Sequence, residues 1–142
     1  MSEHRWSWTK RTRLPSRQGA HLELVQEILD RLQESGWAGR DFFGVEMALE
    51  ESLSNAIRHG NRFDDTKQVS VDCRVSAERF WIRVQDEGPG FRPECVPDCT
   101  ADENIECPGG RGLALIKAFM TRVEYNECGN SVTMEKIRTA AN

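Results

Sequence analysis

The 142-residue chain contains no run of about 18 apolar residues, so no membrane-spanning helix is expected. Its N-terminus lacks the apolar core of a secretion signal, and the expected location is therefore the cytoplasm. There is no sequence repeat and no low-complexity tract. No cysteine pattern of the CxxC…CxxC kind is present. Cys95, Cys99 and Cys107 cluster without a nearby histidine, which argues against structural zinc. With Cys73 and Cys128 the cysteine count is odd, as suits free thiols in a reducing compartment. A surplus of positive charge is also missing. The net charge of −4 gives no global attraction to nucleic acid. The basic residues are nonetheless uneven: Arg5, Lys10, Arg11, Arg13 and Arg17 face only Glu3 within the first seventeen positions. A solvated edge strand is the simpler reading, and a nucleic-acid or membrane patch the alternative.

What is present suits one domain with one core. Residues 5–14 alternate and read as a strand ended by Pro15. Leu22, Val25, Leu29 and Leu32 recur at helical spacing between Gln18 and Ser35, and Gly36 stops that helix. Asp41 is a candidate N-cap for a second helix reaching about Arg58, with Val45, Leu49, Leu53, Ala56 and Ile57 on its apolar side. Gly60 ends it, and Asn61 to Lys67 read as a polar turn. Gln68 to Val75 and Arg79 to Gln85 alternate at period two, as a hairpin does. From Asp86 to Gly112 periodicity vanishes, and four of the five prolines fall there. A loop of that length in a compact domain is usually functional. Leu113 to Met120 reads as a short helix, and Thr121 to Glu127 with Ser131 to Ile137 as a last hairpin. The order β-α-α-β-β-loop-α-β-β predicts a sheet with helices on one face.

Three short segments carry chemistry. Glu51 and Asn55 are four apart and share a helix face. An Asn oxygen can serve Mg²⁺, and a carboxylate one turn away can take a proton from a nucleophile, although such a pair is also an ordinary solvated face. Asp86-Glu87-Gly88-Pro89-Gly90 follows a strand directly. Gly88 and Gly90 permit positive φ and a close backbone approach, and Asp86 can accept from an exocyclic amine such as adenine's. The plain alternative is a simple turn; the further carboxylates that calcium would want are missing. Pro108-Gly109-Gly110-Arg111-Gly112 opens a helix, where glycine amides can cradle phosphate, or simply link. The Lys-Ser/Thr ending of a Walker A loop is absent, as is the strand–GxGxxG–helix setting of a dinucleotide site.

In this order the three segments resemble the N, G1 and G2 boxes of the GHKL ATPase superfamily. Glu51-x-x-x-Asn55-Ala56-x-x-His59-Gly60 is similar to the N box of its small anti-sigma-factor serine/threonine kinases. The resemblance covers about residues 18 to 138. It implies a Bergerat-type two-layer α+β fold with a mixed, mostly antiparallel sheet, making one histidine-kinase-like ATPase domain of residues 1–142. It implies ATP and Mg²⁺ as cofactors, with Asn55 on the metal, Glu51 as general base and Asp86 on adenine. Gly88 and Gly90 would shape the adenine pocket, and Gly110 and Gly112 would meet the phosphates in a lid at about 92–111. It further implies phosphorylation of an anti-sigma-factor antagonist, control of a sigma factor and a homodimer, with neither nucleic acid nor membrane as partner. One departure stands out. Related kinases often place an arginine just before the lid's glycine pair, where this chain has Pro108; Arg111 or Arg58 is the substitute cation. That departure keeps open an ATP-binding regulatory module with little or no phosphotransfer. His59 is expected to be structural, and His21 is not expected to accept phosphate.

Overall fold

A five-stranded sheet backs two helices. The computed structural model describes residues 6–88, 116–126 and 130–139. Strand β1 (Trp8–Pro15) leads to helix α1 (Leu22–Glu34) and helix α2 (Gly39–Asn55). A π-helical turn (Ala56–Gly60) continues α2. Strands β2 (Gln68–Val75), β3 (Arg79–Gln85), β4 (Arg122–Tyr125) and β5 (Ser131–Ile137) complete the sheet, in the order β1-β2-β3-β5-β4. Residues 116–119 are helical. Every pairing among the described strands is antiparallel, so the parallel element of a mixed sheet is not seen among them.

Alternation decides which side of the sheet is covered. Val69, Val71, Cys73 and Val75 on β2, with Phe80, Ile82 and Val84 on β3, all point into the core. Val25, Ile28, Leu29 and Leu32 of α1 and Val45, Ala48, Leu49 and Leu53 of α2 meet them. Each stripe follows the 3, 4 spacing of an amphipathic helix. β1 is the outer strand on one side, in keeping with its basic residues.

The ends of the helices differ from the sequence reading in instructive ways. Helix α1 starts at Leu22 rather than near Gln18, because Gly19 takes a left-handed φ of +81° and turns the chain. It closes as expected at Gly36, whose amide bonds Gln33 while Trp37 N–H bonds Leu32, a Schellman pair. Trp37 is then buried, and its Nε1 donates to the Ser76 carbonyl at 2.8 Å, pinning the helix pair to the β2–β3 turn. Asp41 is not the N-cap of α2; Ala38 occupies that place. The Asp41 carboxylate instead accepts from Thr139 N and Oγ1 at 2.9 and 2.7 Å and sits 3.6 Å from Lys136. Burial pushes its pKa up, but the Thr139 bonds and the lysine hold it below the usual value.

Candidate functional site

The site begins where α2 changes its winding. After Asn55 the hydrogen bonds lengthen from four residues to five, and Asn61 N–H reaches the Ala56 carbonyl at 2.9 Å. π turns of this kind tend to occur at functional places. Glu51 and Asn55 both lie half-buried at the margin of the apolar stripe. The side-chain Nδ2 and Oδ1 of Asn55 are both buried, and neither has a hydrogen-bond partner among the described residues. Leaving such atoms unpaired costs about 1–3 kcal/mol each. A buried, unpaired carbonyl oxygen is a donor that a hard cation would take, so the residues present fit Mg²⁺.

The adjacent carboxylates of α2 have separate tasks. Glu50 turns away and receives the buried His21 ring at 2.8 Å, joining α1 to α2. Glu51 stays on the Asn55 side. His59, half-buried at the end of the π turn, has its pKa lowered by burial and then by the Arg58 charge, while the Glu51 carboxylate pulls the other way. His59 is therefore neutral near pH 7.

The second segment closes on the first by direct backbone contact. A Cβ on Gly60 would fall 2.3 Å from the Asp86 carboxyl carbon, and a Cβ on Gly88 would fall 1.9 Å from the Gly60 carbonyl oxygen. Both glycines are needed for that approach. Gly88 is not among the glycines with positive φ, so what it supplies there is room for the close approach. Gly88→Ala should lever the loop off the π turn. A loss of ATP affinity of at least about tenfold, with a lowered melting temperature, is expected by titration calorimetry and thermal melting. An alanine variant that binds as well as wild type would show that the contact is dispensable.

Asp86 accepts from Gly88 N at 2.8 Å through Oδ1, and Oδ2 takes no hydrogen bond from the described residues. Burial raises its pKa, which the Gly88 bond and Lys67 only partly offset. A carboxylate held at a desolvation cost beside a glycine turn suits a directed acceptor role. Asp86→Asn should weaken ATP binding by about tenfold or more, and erase preference over GTP. The same change should not lower stability at pH 7, since it removes a half-buried charge. Wild-type Asp86 has a raised folded-state pKa, so the native state binds the proton more readily and gains stability as pH falls through it. The variant's relative advantage should therefore shrink towards pH 4. Melting curves across pH check the sign.

One residue of this site was not legible in the sequence. Asn61, read as part of a polar turn, is 1% exposed. Its Nδ2 donates to Ser16 Oγ at 2.9 Å and its Oδ1 accepts from Glu87 N at 2.7 Å. Ser16 Oγ donates in turn to the Lys67 carbonyl at 2.6 Å, and the Glu87 carboxylate accepts from Gln68 N at 2.6 Å. Asn61 thus ties the Asp86 loop to the end of β1. Its partners lie 45 and 26 residues away, and the only sequence signal is an Asn straight after a helix-ending glycine. Gly90, Pro108, Gly110, Arg111 and Gly112, and the cysteines 95, 99 and 107, lie outside the described residues.

Comparison with known proteins gives the family. A profile of the histidine kinase-like ATPase domain matches residues 14–136. The chain is 31% identical over 121 residues to the serine-protein kinase RsbW of Listeria monocytogenes serotype 4a, covering 76% of this chain and 77% of that one. It is 31% identical to RsbW of Bacillus subtilis, covering 75% and 74%. It is 29% identical over 98 residues to the anti-sigma F factor of Clostridium perfringens, covering 65% and 69%. The solved structure of the RsbU and RsbW domains of Rv1364c from Mycobacterium tuberculosis superposes with a TM-score of 0.62 at 17% identity. That match takes in 94% of this chain but only 34% of the other, and it bears on the fold alone. Among the described residues no helix is long and apolar enough to cross a membrane. On these matches the chain belongs to the histidine kinase-like ATPase family, in the branch that holds the RsbW-type serine-protein kinases and anti-sigma F factors.

Proposed function

We propose that the protein is an ATP-dependent serine/threonine kinase that phosphorylates an anti-sigma-factor antagonist in the cytoplasm and thereby regulates a sigma factor. The observation that carries this reading is Asn55, whose amide is buried and unpaired on the same helix face as Glu51. Such an amide is costly unless a ligand uses it. Asn55 Oδ1 would hold Mg²⁺, which would neutralise charge on the phosphates of ATP. Asp86 would accept from the adenine amine through Oδ2. Gly88 and Gly90 would leave room for the base. Gly110 and Gly112 would turn their amides to the phosphates, in a lid of about 92–111, and Arg111 would supply the cation that Pro108 displaces from its usual place. Glu51 would take the proton from the substrate hydroxyl as that oxygen attacks the γ-phosphorus and ADP leaves. Phosphoryl transfer asks mainly for positioning and charge neutralisation, which this set provides. The relatives' names supply a protein serine and a sigma factor by analogy; the antagonist and a second copy of the chain belong to this proposal.

A second reading, an ATP-binding switch with little phosphotransfer, is favoured by Pro108. The two are separated by incubating the protein with γ-labelled ATP, Mg²⁺ and its co-purified antagonist. Label on a serine or threonine of the antagonist is the expected result. ATP binding without label transfer would return the switch.

A further inference from the structure

The face of the sheet turned away from the helices has a chemistry of its own. Residues directly opposite in an antiparallel pair share a face. Arg11 stands opposite Asp72 and Arg13 opposite Ser70, while across the next pair Asp72 meets Arg83 and Arg74 meets Trp81. Arg11, Arg13, Arg74, Arg79 and Arg83 therefore look out from β1, β2 and β3; Arg79 is taken by Glu135 of β5, and one carboxylate answers the other four. Asp72 is largely buried and has Arg11 Nε at 3.3 Å, Arg74 Nη2 at 3.6 Å and Arg83 Nη2 at 3.9 Å. One negative charge shared by three guanidiniums neutralises one of them. Arg13 makes no ion pair among the described residues. The three strands thus keep a surplus of three positive charges, on a chain whose formal net charge is −4.

Between these arginines lies a groove of about 440 Å³, lined by Arg11, Arg13, Asp72 and Arg83 with Ser70 and Gln85. Trp81 forms its neighbour. The Arg74 guanidinium lies 4.5 Å from the ring centroid and that of Arg83 lies 5.9 Å from it. Stacking on a ring restrains a guanidinium and leaves its edge N–H groups free for another acceptor. A smaller hollow of about 230 Å³ shares Arg13, Ser70 and Gln85 and ends at Asp86 and Glu87, which bound the positive region with negative charge.

We infer that this groove docks a short acidic segment of a partner protein, whose Asp or Glu carboxylates take the guanidinium N–H groups that Asp72 leaves free. Charge complementarity selects that occupant. Guanidinium forks match carboxylates two bonds at a time. The patch is three strands wide, roughly 10 Å at the usual strand spacing, and negative charge dominates the rest of the chain. A short acidic segment ends inside it, whereas a polyanion running on past Arg13 meets Asp86 and Glu87. A second copy presenting the same face would set arginine against arginine. The inference does not depend on phosphotransfer.

The test uses a short synthetic peptide of alternating Glu and Ser, its Gln-for-Glu twin, and a short oligothymidylate of equal charge. Binding is read by tryptophan fluorescence, with Trp81→Phe assigning the signal, and by calorimetry. The Glu peptide should bind, and its affinity should fall about threefold in Arg13→Ser and over tenfold in Arg13→Ser/Arg83→Ser. Lys117→Ser, an exposed charge outside these three strands, should change nothing. The Gln twin should not bind. Arg13 is exposed and makes no ion pair among the described residues, so its replacement leaves the fold intact. Equal peptide binding by the double variant overturns the inference. Tighter binding of the oligothymidylate overturns it in favour of nucleic acid. Self-association of wild type that the double variant loses overturns it in favour of a second copy.

Discussion

Asn55→Ala should cost the protein its Mg²⁺-dependent affinity for ATP without costing it stability. Both polar atoms of this side chain are buried and unpaired among the described residues. In the nucleotide-free protein they are a liability of about 1–3 kcal/mol each, and alanine removes it. The melting temperature should stay level or rise by a few degrees, small for a core change but opposite in sign to most substitutions. Nucleotide binding should move the other way. Losing the protein's ligand to the metal should weaken Mg²⁺·ATP by about a hundredfold or more, roughly 3 kcal/mol, and leave only weak, Mg²⁺-insensitive binding. Calorimetric titration with and without Mg²⁺, beside a thermal melt, measures both arms. Unchanged affinity would remove Asn55 from the site. A loss of affinity accompanied by a fall of many degrees in melting temperature would make the residue structural instead.

Glu51→Gln should have the largest effect on turnover. General-base catalysis contributes typically about 10²–10⁴ in rate, and the amide cannot take the substrate proton. Phosphate transfer to the antagonist should drop by that factor, while ATP affinity stays within about twofold. The neighbouring carboxylate supplies the control. Glu50 is held by His21 and turns away from Asn55, so Glu50→Gln should transfer phosphate at close to the wild-type rate. Single-turnover assays of the two variants decide the matter. Equal losses in both would mean that the helix end, not a particular proton acceptor, limits the reaction.

How much of this was legible in advance depended on how local each cause was. The β2–β3 hairpin could be bounded to the residue, because period-two burial and the break at Ser76 are properties of adjacent positions. Glu51, Asn55 and Asp86 could be picked out as candidates for the same reason. Each belongs to a short motif with a chemical meaning, and the fold brings the motifs together. The failures at Asp41 and Asn61 involve distant partners. Asp41 looks like an N-cap from its neighbours, but Thr139 and Lys136, nearly a hundred residues away, claim its carboxylate. The apolar spacing of Ala56 and Ile57 continues that of α2, so nothing local announces the switch to π winding. Asn61 was hidden most completely, since Ser16 and Glu87 give it its meaning only once β1 and β3 have paired with β2.

The contact between Gly60 and Gly88 has a bearing on how such a chain can change over generations. The two positions belong to motifs 28 residues apart, yet the main chain of one fills the space that a side chain on the other would need. Neither can drift alone. A mutation at Gly88 meets the Gly60 carbonyl, and a mutation at Gly60 meets the Asp86 carboxylate. In heredity the turn and the loop therefore behave as one character, and a lineage that gives up either glycine has to rebuild both segments.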